Sequence, residues 1–208
     1  MAKEEIIKEL SGILDKIYDK FILRDLFAKI IPGLILIASF FYLLSGNIIE
    51  IEKIGKSLWC FLIGLSWIVA YGIQSFGELS HLIKYYNKNF KTDEDWYNEY
   101  NLFLNNSTIA EKSICERFII IKEATGNLAI SLILSLILLT TKSITEDYHT
   151  IISEDYLIVV ATIFSFSLLL LRMHDIHVER QCNYVSSVNR KKKASNDGEK
   201  GKSCPGSN

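Results

Sequence analysis

Long runs of apolar residues alternate with polar segments along this chain. Four runs are long enough to test as membrane spans: residues 26–46, 57–77, 124–141 and 156–171. A hydrocarbon core about 30 Å thick takes about 20 helical residues, and fewer where flanking charges reach the headgroups. A buried helix of a soluble protein normally keeps a polar stripe, but the stretch LILSLILL in the third run has one serine only. The pattern predicts an all-α integral membrane four-helix bundle with helical cytoplasmic extensions.

The segment before the first span has a helical pattern of its own. Residues 1–25 repeat apolar positions at helical spacing, with charged residues on the other face. This pattern predicts an amphipathic cytoplasmic helix that lies on the inner leaflet or packs on the protein itself. No small-residue cleavage site follows the first apolar run, so we expect the segment to be retained. Pro32 and Gly33 predict a break or kink where the chain enters the bilayer.

The loop between the second and third spans, residues 78–123, is also predicted to be helical. We expect residues 78–86 to continue the second span as helix. Thr92 and Thr108 each precede acidic residues in the pattern of a helix start, and the second is a capping box that leads into the third span.

The segment that follows the fourth span is predicted to be helical at first and disordered towards its end. Residues 172–189 predict a cytoplasmic helix that continues the span. Residues 190–208 are polar and rich in turn formers, which predicts a disordered basic tail.

The distribution of Lys and Arg predicts the orientation. The segments 1–29, 78–126 and 172–208 hold 20 of these residues, whereas the loops 47–56 and 142–155 hold three. Cytoplasmic loops carry the Lys and Arg excess. We therefore expect a multi-pass protein of the cell inner membrane, with both termini and the long loop in the cytoplasm.

Composition removes several functional classes. The chain has 208 residues, 49% of them apolar, and a formal net charge of −1. A mean hydropathy of +0.20 excludes a disordered protein, and the absence of net basicity argues against direct nucleic-acid binding. The four cysteines have no CxxC spacing, and the sequence contains no P-loop, GxGxxG or GxSxG motif. We therefore assign no catalytic residue, metal ligand or cofactor.

Three polar residues of the third span are candidate pore-lining residues. Asn127, Ser131 and Ser135 follow one another at intervals of one helical turn. They could line a narrow water path in an oligomer, or form hydrogen bonds with backbone or neighbouring helices. The uncharged stretches of the spans contain no ionisable residue, which argues against proton relays and ion-coupled carriers.

Aromatic residues in the long loop are a candidate ligand or partner surface. Three lysines, Lys84, Lys88 and Lys91, lie between them in the sequence, and bases stack on aromatic rings near cations when nucleotides are bound. A small cytoplasmic core would need the same aromatic residues. The members of this surface are Tyr85, Tyr86, Trp96, Tyr97 and Tyr100.

Four consecutive basic residues follow the last predicted cytoplasmic helix. They serve either as positive-inside anchors or as contacts to anionic lipid, which attracts each basic side chain near the surface by about 1 kcal/mol. These candidate lipid contacts are Arg190, Lys191, Lys192 and Lys193.

Histidines near the inner membrane boundary are the remaining chemical candidates. His174 and His177 share a helix face, His81 lies at a similar depth beyond the second span, and Cys182 is one further turn along the helix. They could form a metal or haem site, or be polar residues of the boundary. An enzyme alternative would place a cytoplasmic site around His81, Glu116, His174 and His177.

Four segments carry a resemblance to a protein family. They are residues 24–33 (RDLFAKIIPG), 71–74 (YGIQ), 116–127 (ERFIIIKEATGN) and 172–184 (RMHDIHVERQCNY). With this layout the chain resembles small prokaryotic multi-pass proteins that occur as membrane components of anti-phage defence operons. The resemblance implies a disturbance of the inner membrane that is triggered by a nucleotide or a partner.

The functional expectation is a small oligomeric inner-membrane protein without enzymatic activity. It is an effector that perturbs or permeates the membrane, or a component that anchors a partner there. The expected partners are the lipid bilayer, further copies of the chain and a soluble cytoplasmic protein. The alternatives are a channel or transporter subunit and the membrane-bound enzyme described above.

Overall fold

The computed structural model describes residues 24–45, 55–146 and 154–200, and every regular element in those ranges is a helix. The predicted all-α architecture is confirmed. Most of the predicted helix of residues 1–25 lies outside the described residues, as do residues 201–208 of the tail. The five helices are α1, a π-helical turn Leu26–Ile30 followed by an α-helix Ile31–Ser45, then α2 Lys56–Leu79, α3 Asp93–Asn106, α4 Ile109–Glu146 and α5 Glu154–Lys200.

Four of these helices are long and apolar enough to cross a membrane. The candidate spans are Leu26–Leu44, Lys56–Leu79 and parts of two longer stretches, Ile109–Thr145 and Asp155–Ser195. The longer stretches have 37 and 41 residues, more than the roughly 20 that cross a bilayer, so part of each lies outside the hydrocarbon. Large apolar side chains on them face outward, for example Phe61, Ile68 and Leu169, which are 62%, 65% and 62% exposed. Such surfaces are unfavourable in water and are solvated by lipid chains. The protein is therefore a multi-pass membrane protein.

The chain divides into two compact units. One consists of Met1–Ile83 and Glu123–Arg172, and we call it the membrane unit because it holds the apolar parts of the four spans. The other consists of Lys84–Lys122 and Met173–Asn208, and we call it the loop unit. Helices α4 and α5 each contribute residues to both units.

The membrane unit brings α1 and α2 into close contact at a glycine. A Cβ atom built on Gly33 would lie 2.0 Å from the backbone oxygen of Ser66, so only glycine permits this approach. Small residues at helix contacts are typical of membrane bundles, where packing replaces the hydrophobic driving force. An apolar cluster of Ile73, Ile83 and Ile130 is buried in the same unit.

The first span begins without the break predicted at Pro32 and Gly33. The chain is helical through both residues, and a π-helical turn precedes them at Leu26–Ile30. In that turn the Ile31 N–H bonds to the Leu26 carbonyl instead of a carbonyl four residues back. The proline is therefore accommodated by a local change in the hydrogen-bond pattern.

The second span ends earlier than predicted. We expected helix through residues 78–86, but α2 ends at Leu79 and His81 adopts a left-handed conformation with φ of 58°. The N–H groups of Leu82 and Ile83 both bond to the Gly77 carbonyl at 2.9 Å. The turn brings the Ile83 side chain back onto Gly77, where a Cβ would lie 2.5 Å from Ile83 Cδ1. Burial of Ile83 in this turn accounts for the early end.

Both predicted helix starts of the loop unit are present. The Thr92 hydroxyl accepts a bond from the Asp95 N–H at 3.1 Å, and the Asp95 carboxylate accepts one from the Thr92 N–H at 3.2 Å. Thr108 and Glu111 form the corresponding pair at the start of α4. Reciprocal caps of this kind satisfy N–H groups that the first helical turn leaves unpaired.

The end of α5 differs from the predicted disordered tail of residues 190–208. The helix continues through Arg190 to Lys200. Asn189 donates to the Glu99 carbonyl at 2.9 Å, and Lys192 donates to the Asn106 carbonyl and lies 3.3 Å from Glu111. These contacts hold the start of the basic segment against α3 and α4, which composition alone does not reveal.

Candidate functional site

The candidate pore-lining residues lie inside the membrane unit. Asn127 Nδ2 donates to the Ala28 carbonyl at 2.7 Å, and Ser131 Oγ donates to the Pro32 carbonyl at 2.6 Å. Asn127, Ser131 and Ser135 are 2%, 0% and 5% exposed, and the Ser135 hydroxyl has no hydrogen-bond partner among the described residues. A role in lining a path between copies stays a prediction. The geometry favours the alternative, in which Asn127 and Ser131 join two helices of one protomer.

These bonds belong to a longer series between α1 and α4. The Arg24 guanidinium makes two bonds to the Glu123 carboxylate at 3.0 and 3.1 Å, and Lys142 Nζ donates to the Leu43 carbonyl at 3.2 Å. In every pair of the series the two partners are 99 residues apart. The first and third spans therefore run parallel and in register, as an even number of crossings between their starts requires.

A lysine of the membrane unit is held between aromatic rings and a carboxylate. Lys29 Nζ lies 4.5 Å from the Tyr71 ring centroid and 4.9 Å from that of Trp67. It donates to the Tyr71 hydroxyl at 2.8 Å and lies 3.6 Å from Asp25. Cation–π attraction and an ion pair together stabilise the ammonium group at the start of the first span.

The loop unit has a polar interior around Lys122. This side chain is 6% exposed, and its ammonium donates to the Gln181 side-chain oxygen at 2.8 Å and to the Tyr85 carbonyl at 3.3 Å. His174, which is 1% exposed, accepts from the Lys84 N–H at 3.0 Å and has its other ring nitrogen 2.8 Å from the Lys122 carbonyl. Burial lowers the pKa of His174, so the neutral ring that makes both bonds is favoured.

The histidines proposed as metal ligands do not form a site. Both ring nitrogens of His174 are bonded to backbone groups, His81 is exposed, and His177 packs beside the Phe118 ring. The described part of the chain contains no cluster of three His, Cys, Asp or Glu side chains that could hold a metal ion. Burial lowers the pKa of His177, and its Nδ1 atom has no hydrogen-bond partner in the described ranges of the chain.

Two buried cysteines lie in the same unit. Burial raises the pKa of Cys115 to about 11 and also raises the pKa of Cys182. Both are therefore protonated at neutral pH, which makes them weak nucleophiles.

The aromatic residues predicted as a ligand or partner surface divide into two groups. Trp96 is half-buried, with the Phe90 ring at 5.1 Å edge-on and the Tyr100 ring stacked at 5.5 Å. Tyr100 stacks in turn on the fully buried Phe103, so it belongs to the core of the loop unit. The Tyr85, Tyr86 and Tyr97 side chains instead line an open pocket, together with Trp96.

This pocket combines four aromatic side chains with two carboxylates. It has a volume of about 520 Å³. Its carboxylates come from the first turn of α3, and the Tyr86 hydroxyl donates to one of them, Asp93 Oδ1, at 2.6 Å. This bond raises the pKa of Tyr86 and fixes the ring beside the acid. We call it the aromatic–acidic pocket, and its lining residues are Tyr85, Tyr86, Asp93, Glu94, Trp96 and Tyr97.

The lysines that are interleaved with these aromatic residues in the sequence do not line the pocket. Lys84 lies 3.7 Å from Asp175, and Lys88 and Lys91 are exposed elsewhere. The charged groups of the lining are therefore acidic, which sequence reasoning missed. The signal for it in the sequence is the DED run after Thr92, which also marks the start of α3.

Of the four basic residues after Asn189, one bonds to another helix and three are exposed. Lys192 bonds to the end of α3, where a cation complements the partial negative charge of the helix C-terminus. Arg190, Lys191 and Lys193 are exposed. The three exposed cations remain the candidate lipid contacts.

Comparison of the chain with protein-family models, with curated proteins and with solved structures found no match.

Proposed function

We propose that the protein is a non-enzymatic, multi-pass inner-membrane protein that docks a soluble partner at the membrane through its loop unit. The observation that carries this proposal is the aromatic–acidic pocket. Tyr97 in its wall is 65% exposed, and Tyr85 is 44% exposed. Aromatic side chains exposed around a pocket are enriched at binding surfaces because they provide large contact areas at low entropic cost.

The membrane unit serves as the anchor in this proposal. Its polar side chains Asn127, Ser131 and Lys142 form bonds between α1 and α4 of one protomer. These groups hold the bundle together and are not directed at a transported solute. The docking chemistry is thus assigned to the loop unit, and the Lys and Arg distribution supports a cytoplasmic location for it.

The resemblance to membrane components of anti-phage defence operons supplies the biological setting that we propose. In that setting the partner is a soluble protein of the same operon, and the docking recruits it to the inner membrane. Deletion of the gene for this protein from such an operon should abolish protection against phage infection. Unchanged protection would contradict the proposed role in defence.

Site-specific photo-crosslinking tests the docking function. A photoreactive benzoylphenylalanine in place of Tyr97 should cross-link a soluble protein in intact cells. The same group in place of Glu179, an exposed residue of the loop unit outside the pocket, is the matched control and should give no adduct. Equal adducts at both positions, or none at either, would contradict the proposal.

A second candidate function is permeation of the membrane by an assembly of several copies. It is favoured by two glycines, Gly64 and Gly72, on the exposed side of α2. A Cβ at either position would meet no atom of the described residues within 4 Å, so another helix can approach the backbone closely there. Dye leakage from liposomes that contain the purified protein would favour this function, and tight liposomes would exclude it.

A further inference from the structure

The aromatic–acidic pocket has a charge pattern that selects among ligands. Glu94 and Asp93 contribute two carboxylates, and among the described residues no basic side chain lines the pocket. The Lys122 ammonium lies 5.7 Å from the Tyr85 ring centroid. The N-terminus of α3 adds only about half a positive charge, which the carboxylates exceed. An anionic nucleotide, the ligand that the interleaved lysines suggested, would be repelled here.

Two of the four rings of the pocket are held in position by neighbouring groups. Tyr86 is fixed by its bond to Asp93, and Trp96 is fixed between Phe90 and Tyr100. Fixed π faces beside carboxylates attract a cation, because the face of each ring is the negative end of its quadrupole. Little ordering cost remains for a ligand that binds between them.

The protein already holds one of its own lysine side chains in this way, between aromatic rings and a carboxylate. Lys29 lies over the rings of Trp67 and Tyr71 and within 3.6 Å of the Asp25 carboxylate. That site is occupied from within the chain. The aromatic–acidic pocket has the same residue types and an open volume of about 520 Å³, within the range of about 300–1,000 Å³ that small-ligand sites show.

We propose that the aromatic–acidic pocket binds an organic cation, an alkylammonium or guanidinium group, between its rings and carboxylates. The inference rests on the proposed docking function, because it names the chemistry that the partner presents: a lysine or arginine side chain. A free quaternary ammonium compound has the same chemistry and is the other source of the group.

Fluorine NMR of the full-length protein in detergent, labelled with fluorotryptophan, tests the proposal. The chain has three tryptophans, and Trp96→Phe identifies the resonance of the pocket. Choline and the blocked amides of lysine and arginine should shift that resonance while leaving those of Trp59 and Trp67 in place. The neutral carbon isostere of choline, 3,3-dimethylbutan-1-ol, should leave all three unchanged.

Charge removal within the pocket gives the quantitative test. Glu94→Gln keeps the shape of an exposed side chain and should weaken binding of the cations about tenfold. Glu179→Gln removes the same charge elsewhere in the loop unit and should leave the dissociation constants unchanged. Asp93→Asn should weaken binding as well, although it also alters the bond to Tyr86.

The outcomes distinguish a partner protein from a free compound as the source of the cation. They also test the cation-binding proposal separately from the docking proposal. Binding by the lysine or arginine amide assigns the group to a partner protein, and binding by choline alone assigns it to a free compound. Equal binding of the neutral isostere, a shift by ATP alone, or no shift by any cation would overturn the inference. Photo-cross-links at Tyr97 with no cation binding would leave the docking function intact, and cation binding without cross-links would remove the docking function alone.

Discussion

Asn127 donates a hydrogen bond across the bundle to the carbonyl of Ala28, with 2.7 Å between Nδ2 and oxygen. Within an α-helix that carbonyl would accept from the residue four positions on, which is Pro32 and has no N–H. The asparagine of the third span thus supplies the donor that the proline of the first span lacks. This compensation allows a proline inside a membrane helix.

Replacement of Asn127 should destabilise the membrane unit. Asn127→Leu removes the side-chain donor to the buried Ala28 carbonyl, which should lower the free energy of unfolding by about 1–2 kcal/mol. Unfolding in mixed detergent micelles measures it. The cost should shrink in a Pro32→Ala background, because alanine restores the N–H. The same cost in both backgrounds would show that the bond to Ala28 is not the cause.

A methyl group at Gly33 should separate the first two spans. Gly33→Ala places its Cβ against the Ser66 backbone, which cannot move like a side chain, and should cost about 1–3 kcal/mol in the same assay. The matched control is Gly72→Ala, whose Cβ meets none of the described atoms within 4 Å and which should keep or raise stability. Equal effects of the two changes would contradict the close approach.

The loop unit should lose stability on acidification. Burial lowers the pKa of His174 below its unfolded value of about 6.5, so the unfolded chain takes up a proton first as the pH falls. Stability is full above pH ~6.5 and declines below it, until the folded ring is protonated too. Lys122 disfavours that proton and Asp175 favours it.

Hydrogen exchange of α3 amides between pH 5.5 and 7.5 measures this dependence. The comparison is made in a His177→Gln background, because burial lowers the pKa of His177 as well. His174→Gln should lower protection at neutral pH and remove most of the pH dependence. An unchanged pH dependence would mean that another group controls it.

Self-association through α2 can be measured with a native cysteine. Cys60 is exposed one turn before Gly64. With Cys204→Ser, mild oxidation of membranes should link two copies through Cys60, and Gly64→Ile should reduce the yield several-fold because its side chain holds the helices apart. Val159→Cys with Cys60→Ser is the control on the fourth span. Equal linking through both positions would indicate random collision and not a specific contact.

Local patterns accounted for much of the fold. The apolar runs predicted the helices that can span a membrane, and the Thr92 and Thr108 pairs predicted two helix starts, because each signal lies within a few residues. The end of α2 and the helical course after Arg190 were missed. They depend on Ile83 folding back onto Gly77 and on Lys192 reaching Asn106, which are contacts that no periodicity shows.

The candidate site could be predicted only in part, because some of its contacts join residues that are distant in the sequence. Tyr85, Tyr86, Trp96 and Tyr97 do surround one pocket, and Tyr100 packs in the core instead. The sign of the neighbouring charge was missed, because Lys84 is close in sequence but pairs with Asp175 of α5. The hydrogen bonds of Asn127 and Ser131 to α1 were missed as well, because they depend on how the first and third spans align in the folded protein.

Thiol labelling tests most directly the proposal that the four spans anchor a binding unit on the cytoplasmic side. All four native cysteines are first replaced by serine. Glu146→Cys, at the end of α4, should then react with a membrane-impermeant maleimide in intact cells. Asp95→Cys, in the first turn of α3, should react only after the cells are permeabilised. Labelling of Asp95→Cys but not Glu146→Cys in intact cells would contradict the orientation, and with it the cytoplasmic docking function.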